Sequence, residues 1–198
     1  MFIKKILIFL IPLIIFFSNI AKVYSIEPDI FVQSTVNRAS EALNNKFSRE
    51  EKIEKLKNIA RETVDIKGIA FYTLGAHRKN LNDAQKEKYA YLFDKYFLKS
   101  FASRLAEYSN PEIQVNSKKQ INKNYTIVSS ILVETEQRPE VKINWRVYTK
   151  NPDNPLIRDL IIEGLSLART QKEEFSSIIQ SNDGDIEALF KTLEEFAK

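Results

Sequence analysis

Few side chains in this 198-residue chain could do chemistry, and their spacing argues against catalysis. Serine hydrolysis needs a nucleophile, an activating base and a group that orients the base. His77 is the only histidine, and it sits beside Arg78 in a loop-like stretch, where it reads as a solvated surface residue. Ser166 near Asp159, with His77 far off in sequence, lacks the Gly-x-Ser-x-Gly elbow and any recognisable triad spacing. Cysteine is absent. That excludes disulfides, thiolate metal sites, a cysteine nucleophile and the acylated cysteine of a lipoprotein. One histidine without cysteine does not build a zinc site of the usual kind. The four glycines, Gly68, Gly75, Gly164 and Gly184, form no phosphate-cradling cluster, and there is no P-loop. The best acid pair is Asp159 with Glu163, four apart on an expected strand. The two share a face but stand well apart, with Arg146 expected on the neighbouring strand. This pattern reads as a cross-strand ion pair rather than a catalytic dyad. The residues thus point to a protein that is not an enzyme and uses no metal or cofactor.

The elements that would position these groups change character along the chain. Val32, Val36, Ala39 and Leu43 recur at helical spacing. Ser48 with Glu51 makes a capping box ahead of a helix carrying Ile53, Leu56 and Ala60. Asp65 caps a short helix through Leu74, which Gly75 is placed to end. Asn82 opens a long helix from about Asp83 to Tyr108. After Asn110-Pro111 the pattern turns to strands: Glu112 to Ser117, Tyr125 to Glu134, Val141 to Tyr148 and Ile157 to Ala168. Val141, Ile143, Trp145 and Val147 alternate with polar or amphipathic neighbours, so this strand belongs to a sheet with one apolar face. Thr170 with Glu173 predicts another helix start, and a stripe from Ile186 to Ala197 a last helix. The fold class is α+β: a curved antiparallel sheet of about four strands packed against helices. No repeat or linker divides it, so we read one domain from Ile26 to Lys198.

The first 25 residues read as a secretory signal peptide. Lys4 and Lys5 precede the apolar run Ile6 to Phe17, and a more polar stretch ends at Val23-Tyr24-Ser25, with cleavage expected after Ser25. The run has 12 residues and is interrupted by Pro12, short of the roughly 18 that span a bilayer. An uncleaved anchor is the competing reading, and either way the domain lies outside the cytoplasm. The leader also accounts for the net charge of +4: it holds Lys4, Lys5 and Lys22 and no acid. Taking those three from the 30 basic residues leaves 27 against 26 acidic ones, which is no electrostatic footprint for nucleic acid.

The unusual feature is aromatic bulk. Phe93, Phe97 and Phe101 are spaced by four along the long helix and stack on one face, opposite a one-sided sheet. Such a stripe fills a plain core or lines a dry cavity for acyl chains, and the pattern leaves both readings standing. Burying ten methylenes contributes roughly 8 kcal/mol, so a tail pocket needs almost no polar contacts.

These residues also carry a resemblance. Asp65, Ile69-Ala70, Leu74-Gly75, Tyr89, Phe93 and Phe97 to Tyr108 are followed by Asn144-Trp145-Arg146-Val147, Asp159, Glu163-Gly164-Leu165-Ser166-Leu167 and Phe175. Their order and spacing resemble the MlaC family, periplasmic phospholipid-binding proteins of the toluene-tolerance auxiliary group. The resemblance covers nearly the whole mature chain, and the Glu163 to Leu167 segment is its most specific part. Lys172 stands where many members have an arginine. The resemblance implies a fold like nuclear transport factors with added helices. It implies a phospholipid carried with its tails inside. It also implies passage between an outer-membrane lipoprotein–porin complex and an inner-membrane ABC transporter with an MCE-domain subunit.

The family offers no short motif for the lipid site, so candidates come from the faces. On the helices they are Phe71, Leu74, Phe93, Phe97, Phe101 and Leu105; on the sheet, Ile127, Ile131, Val133, Ile143, Trp145 and Val147. Gly164 and Ser166, small and on one face of the expected fourth strand, would leave room for a tail or allow close helix–sheet packing. Three functions are weighed. A lipid carrier is favoured, with phospholipid or a hopanoid-type lipid as cargo. A ligand-free subunit bridging the two membrane complexes has the same sequence pattern. A secreted lipid hydrolase lacks a base.

Overall fold

The computed structural model describes residues 25–198, so the expected leader lies outside the described residues as far as Tyr24. Local chemistry sets where each helix begins. Helix α1, Pro28–Ala42, has proline in its first turn, where no amide donor is needed, and Asp29 beside it. Helix α2, Arg49–Thr63, starts on the Ser48/Glu51 capping box, both halves of which form. Helix α3, Ile66–Thr73, is capped by Asp65, whose Oδ1 accepts the Gly68 N–H at 2.8 Å. A short 3₁₀ turn, His77–Lys79, leads to α4, Asp83–Leu105, opened by a reciprocal box between Asn82 and Gln85. The chain ends in α5, Leu167–Gln180, and α6, Ile186–Ala197. Among the described residues no helix is long and apolar enough to cross a membrane.

Between α4 and α5 lies an antiparallel meander: β1 Ile113–Asn122, β2 Tyr125–Leu132, β3 Val141–Tyr148, β4 Leu156–Ile162 and β5 Leu165–Ser166, paired in chain order. The α+β expectation holds, with an open five-stranded sheet. The run expected as one strand, Ile157 to Ala168, divides instead into β4, a turn, β5 and the start of α5. Ile162 pairs with Leu165 across Glu163 and Gly164, whose φ values are 47° and 84°. Two successive positive φ angles make the tight hairpin turn whose twist suits the strands, and glycine meets the second at no steric cost. The expected box at Thr170 is also corrected. Ser166 caps α5, its Oγ accepting the Arg169 N–H, so Thr170 and Glu173 lie inside the helix.

Register assigns the faces. Thr126, Val128, Ser130 and Leu132 of β2 stand opposite Val147, Trp145, Ile143 and Val141 of β3. These eight share the apolar first face. Trp145 and Ile143 in turn face Leu160 and Ile162 of β4. Helix α1 covers part of this face, with Val32 and Val36 packed on Val128 and Val147, all 3% exposed or less. The second face is largely polar: Lys119, Ser129, Lys142, Asn144 and Arg146, with Ile127 and Ile131 among them. Helices α3 and α5 pack beside β4, whereas the chief neighbours of α4 are α2, α3 and α6. The largest core lies among these helices, where Tyr89, Phe93, Phe175 and Phe190 are at most 2% exposed. Each such ring contributes roughly 1.5–3 kcal/mol by leaving water.

Candidate functional site

The expected helix candidates fall into two groups. Leu74 and Phe93 are core residues at 1% exposure. Phe93 is edge-on to Phe175, with ring centroids 6.2 Å apart. Phe97 and Phe101 continue the stripe, stacked with centroids 5.4 Å apart and planes within 9°. Both are only partly buried at the edge of that core, as is Leu105 at the edge of a smaller cluster between α1, α2 and α4. Phe71 is half-buried and lines a surface cleft of about 540 Å³ between α3 and α4, beside Lys67, Lys86, Glu87 and Asp94. That cleft carries both signs of charge.

The sheet candidates divide by face. Ile143, Trp145 and Val147 do share the first face. Ile127 and Ile131 do not: they pair with Arg146 and Lys142 and so stand on the polar side, which corrects their grouping with the other three. The physical reason is that the buried places on β2 go to Thr126 and Ser130 as well as to Val128 and Leu132. Ser130 earns its place through hydrogen bonds: its Oγ accepts Trp145 Nε1–H at 2.8 Å and donates to the Ile143 carbonyl at 3.2 Å. Val133 lies just past β2, its N–H bonded to the Glu112 carbonyl. The first face is incompletely buried. Trp145, Leu160 and Ile162 keep intermediate exposure. So do Phe97, Phe101 and Leu105 on α4.

Gly164 and Ser166 have local roles. A Cβ at Gly164 would meet no atom within 4 Å, so the turn conformation, and not space, calls for glycine there. Ser166 is 6% exposed and sits in a closed polar cluster. Its Oγ donates to Asp159 Oδ2 at 2.6 Å, while Asp159 Oδ1 accepts the Ala168 N–H at 3.0 Å. Arg146 stands across the strand pair from Asp159, with Nη1 3.5 Å from Oδ2. The expected cross-strand ion pair is therefore present, and Asp159 holds the start of α5 against β4. Glu163 is in the turn, its carboxylate accepting the Lys142 N–H.

Sequence reasoning passed over Arg158. It is the extra residue of a β-bulge, opposite the register shift between Arg146 and Val147. Adjacent charges inside an apolar strand, Arg158-Asp159, were the available signal. The Arg158 guanidinium bonds Asp65 Oδ2 at 2.7 Å through Nε and the Tyr125 hydroxyl at 2.7 Å through Nη1, and it lies 3.6 Å from the Tyr148 ring centroid. Beside it, the polar face and α3 bound a cleft of about 480 Å³ lined by Arg78, Arg146, Arg158, Tyr125, Tyr72 and Ile121, among others. Among the described residues no cluster of three or more histidine, cysteine or acidic side chains could hold a metal ion.

Comparison with known proteins places this arrangement in context. The family model described as MlaC protein matches residues 33–195. Among solved structures, the chain is similar to the phospholipid-binding protein from Ralstonia solanacearum, determined in complex with a phospholipid. The TM-score is 0.72 at 19% identity, and the match covers 87% of this chain and 97% of that one. At that identity the likeness is one of fold.

Proposed function

The chain belongs to the MlaC family, and on that premise we propose that it is a periplasmic lipid carrier rather than an enzyme. It binds a phospholipid by its acyl chains. It passes the lipid between an outer-membrane lipoprotein–porin complex and an inner-membrane ABC transporter with an MCE-domain subunit. The tails contact half-buried apolar side chains, with Trp145 on the sheet and Phe97, Phe101 and Leu105 along α4 as the leading candidates. The observation that carries this reading is that apolar side chains on the sheet's first face and along one margin of α4 are only half-buried. Trp145, Leu160 and Ile162 on the sheet and Phe97, Phe101 and Leu105 on α4 are left incompletely covered, although water disfavours every one of them. The structural relative is a phospholipid-binding protein determined in complex with a phospholipid, which supports the same cargo. A carrier needs no nucleophile. Among the described residues the one buried serine–carboxylate pair, Ser166 with Asp159, is engaged in capping α5.

The test is native mass spectrometry of the mature protein purified without detergent, followed by lipid extraction. A mass excess matching a diacyl phospholipid is expected. A bare protein that also takes up no labelled phospholipid from vesicles would overturn the carrier reading.

A further inference from the structure

On the polar face, away from the proposed tail site, the cleft beside α3 gathers positive charge without a lining carboxylate. Three of its lining side chains are arginines: Arg78, Arg146 and Arg158. Their bonding differs. Arg158 is committed to Asp65, Tyr125 and Tyr148 and acts as a fixed charge. Arg146 is ion-paired with Asp159 at 3.5 Å but makes no hydrogen bond to any described residue, which leaves guanidinium N–H groups open toward the cleft. Arg78 enters no ion pair among the described residues. The Tyr125 hydroxyl accepts from Arg158, which leaves its own proton to donate. The cleft therefore offers the unpaired Arg78, the N–H groups of Arg146 that its ion pair with Asp159 leaves open, and a phenol proton, beside a third, fixed positive charge. Its rim is apolar: Ile121 is 53% exposed and Tyr72 42%.

We propose that this cleft is a phosphate-binding site. A phosphate presents several oxygens at tetrahedral angles, which suits two planar forks and a hydroxyl arriving from different elements. A single carboxylate would fill one fork and leave the other unused. The exposed Ile121 and Tyr72 at the rim favour a phosphate ester that carries an apolar group, so a lipid headgroup and a soluble phosphate ester are the two sources of this chemistry. The site does not depend on the tail pocket, and its failure would leave the carrier reading untouched.

The test is titration of the mature protein, followed by calorimetry and by the amide and tyrosine resonances of Tyr125, with four probes: inorganic phosphate, glycerol phosphate, dihexanoyl phosphatidate and dihexanoylglycerol below their micellar concentrations. Binding of the phosphate-bearing probes is expected, weakening with salt. Arg146→Gln should weaken it about tenfold or more, as loss of a charge-assisted fork implies. Arg78→Gln, at an exposed position that leaves the Asp159 cluster intact, should weaken it in the same direction. Phosphatidate binding well above inorganic phosphate assigns the site to lipid headgroups; equal binding of the two assigns it to soluble phosphate. Dihexanoylglycerol binding as tightly as phosphatidate would overturn the proposal. So would no response at Tyr125, or affinities unchanged in Arg78→Gln.

Discussion

Ser166 gives its hydroxyl proton to Asp159 across 2.6 Å while its oxygen accepts an amide of the first turn of α5, from Arg169, at 3.1 Å. One side chain thus ends β5, caps a helix and satisfies a carboxylate that is 4% exposed. Ser166→Ala removes a helix cap and a charge-assisted hydrogen bond together, at a cost of about 2 kcal/mol. Urea unfolding should show a lower midpoint with an unchanged slope. A midpoint equal to that of the parent would mean that Asp159 and α5 are held by other contacts.

The phenol of Tyr89 lies in the helical core, 2.8 Å from the Thr73 hydroxyl, and burial pushes its pKa well above the ordinary tyrosine value, with the Thr73 bond offsetting part of the rise. Unfolded tyrosine ionises near pH 10. Below that, folded and unfolded chains hold this proton equally. Above about pH 10 the folded chain keeps a proton that the unfolded chain releases, so stability falls as pH rises toward the raised folded value. Tyr96, raised chiefly by burial as well, acts in the same direction. In Tyr89→Phe the alkaline loss of unfolding free energy should be smaller than in the parent chain. Equal slopes in the two proteins would show that Tyr89 is not the group responsible.

Much of this arrangement was legible in the sequence. Ser48, Asp65 and Asn82 each announced a helix start through a side-chain oxygen at the right offset, and the alternation from Val141 to Val147 named a sheet face. The misreadings have physical causes. β2 carries apolar residues on both faces, so its pattern does not say which set is inward. The ladder with β3 decides it, and it buries Thr126 and Ser130 while leaving Ile127 and Ile131 among polar neighbours. The second half of β1, Lys118-Lys119-Gln120-Ile121-Asn122, has too little apolar content to read as a strand, but it is an outer strand paired along its length with β2. The bulge at Arg158 depends on register between strands and leaves only a doubled charge as its trace. Whether the aromatic stripe on α4 fills a core or lines a space depends on where the helix sits relative to the sheet, and no local pattern encodes that. Phe93 proved to be core and Phe101 marginal, though both belong to the same stripe.

At the start of α1, Lys118 of β1 reaches Glu27 at 2.5 Å and Asp29 at 2.8 Å. The hydrogen bond from Lys118 is the main reason that the Asp29 carboxyl lies below its usual range. Asp29 therefore contributes stability that is present above the ordinary carboxylate pKa of about 3.9 and is lost as pH falls through the lowered folded value. The pair is open to solvent, so the contribution at neutral pH is under about 1 kcal/mol. Lys118→Met should return Asp29 toward the ordinary value in a carboxyl-carbon NMR titration and barely move the unfolding midpoint at neutral pH. An unchanged Asp29 titration would show that its own helix amides set its pKa.

The location of the acyl chains follows from comparing three substitutions that differ in burial and face. Phe93→Ala opens a cavity in the helical core, where Phe93 is 1% exposed, and should cost roughly 3–5 kcal/mol. Any loss of lipid in that variant reports unfolding. Phe101→Ala acts on a partly buried ring at the margin of the core, so the cavity term is smaller and the fold should persist. Ile131→Asn changes an apolar side chain on the opposite, polar face of the sheet, beside Lys142. If the tails contact the half-buried margin of α4 and the first face, Phe101→Ala should purify folded with less bound lipid and take up labelled phospholipid from vesicles more weakly, while Ile131→Asn loads as the parent does. The reverse result, normal loading with Phe101→Ala and none with folded Ile131→Asn, would move the tails to the other side of the sheet and sink the proposed site. Circular dichroism on each variant separates loss of the site from loss of the fold.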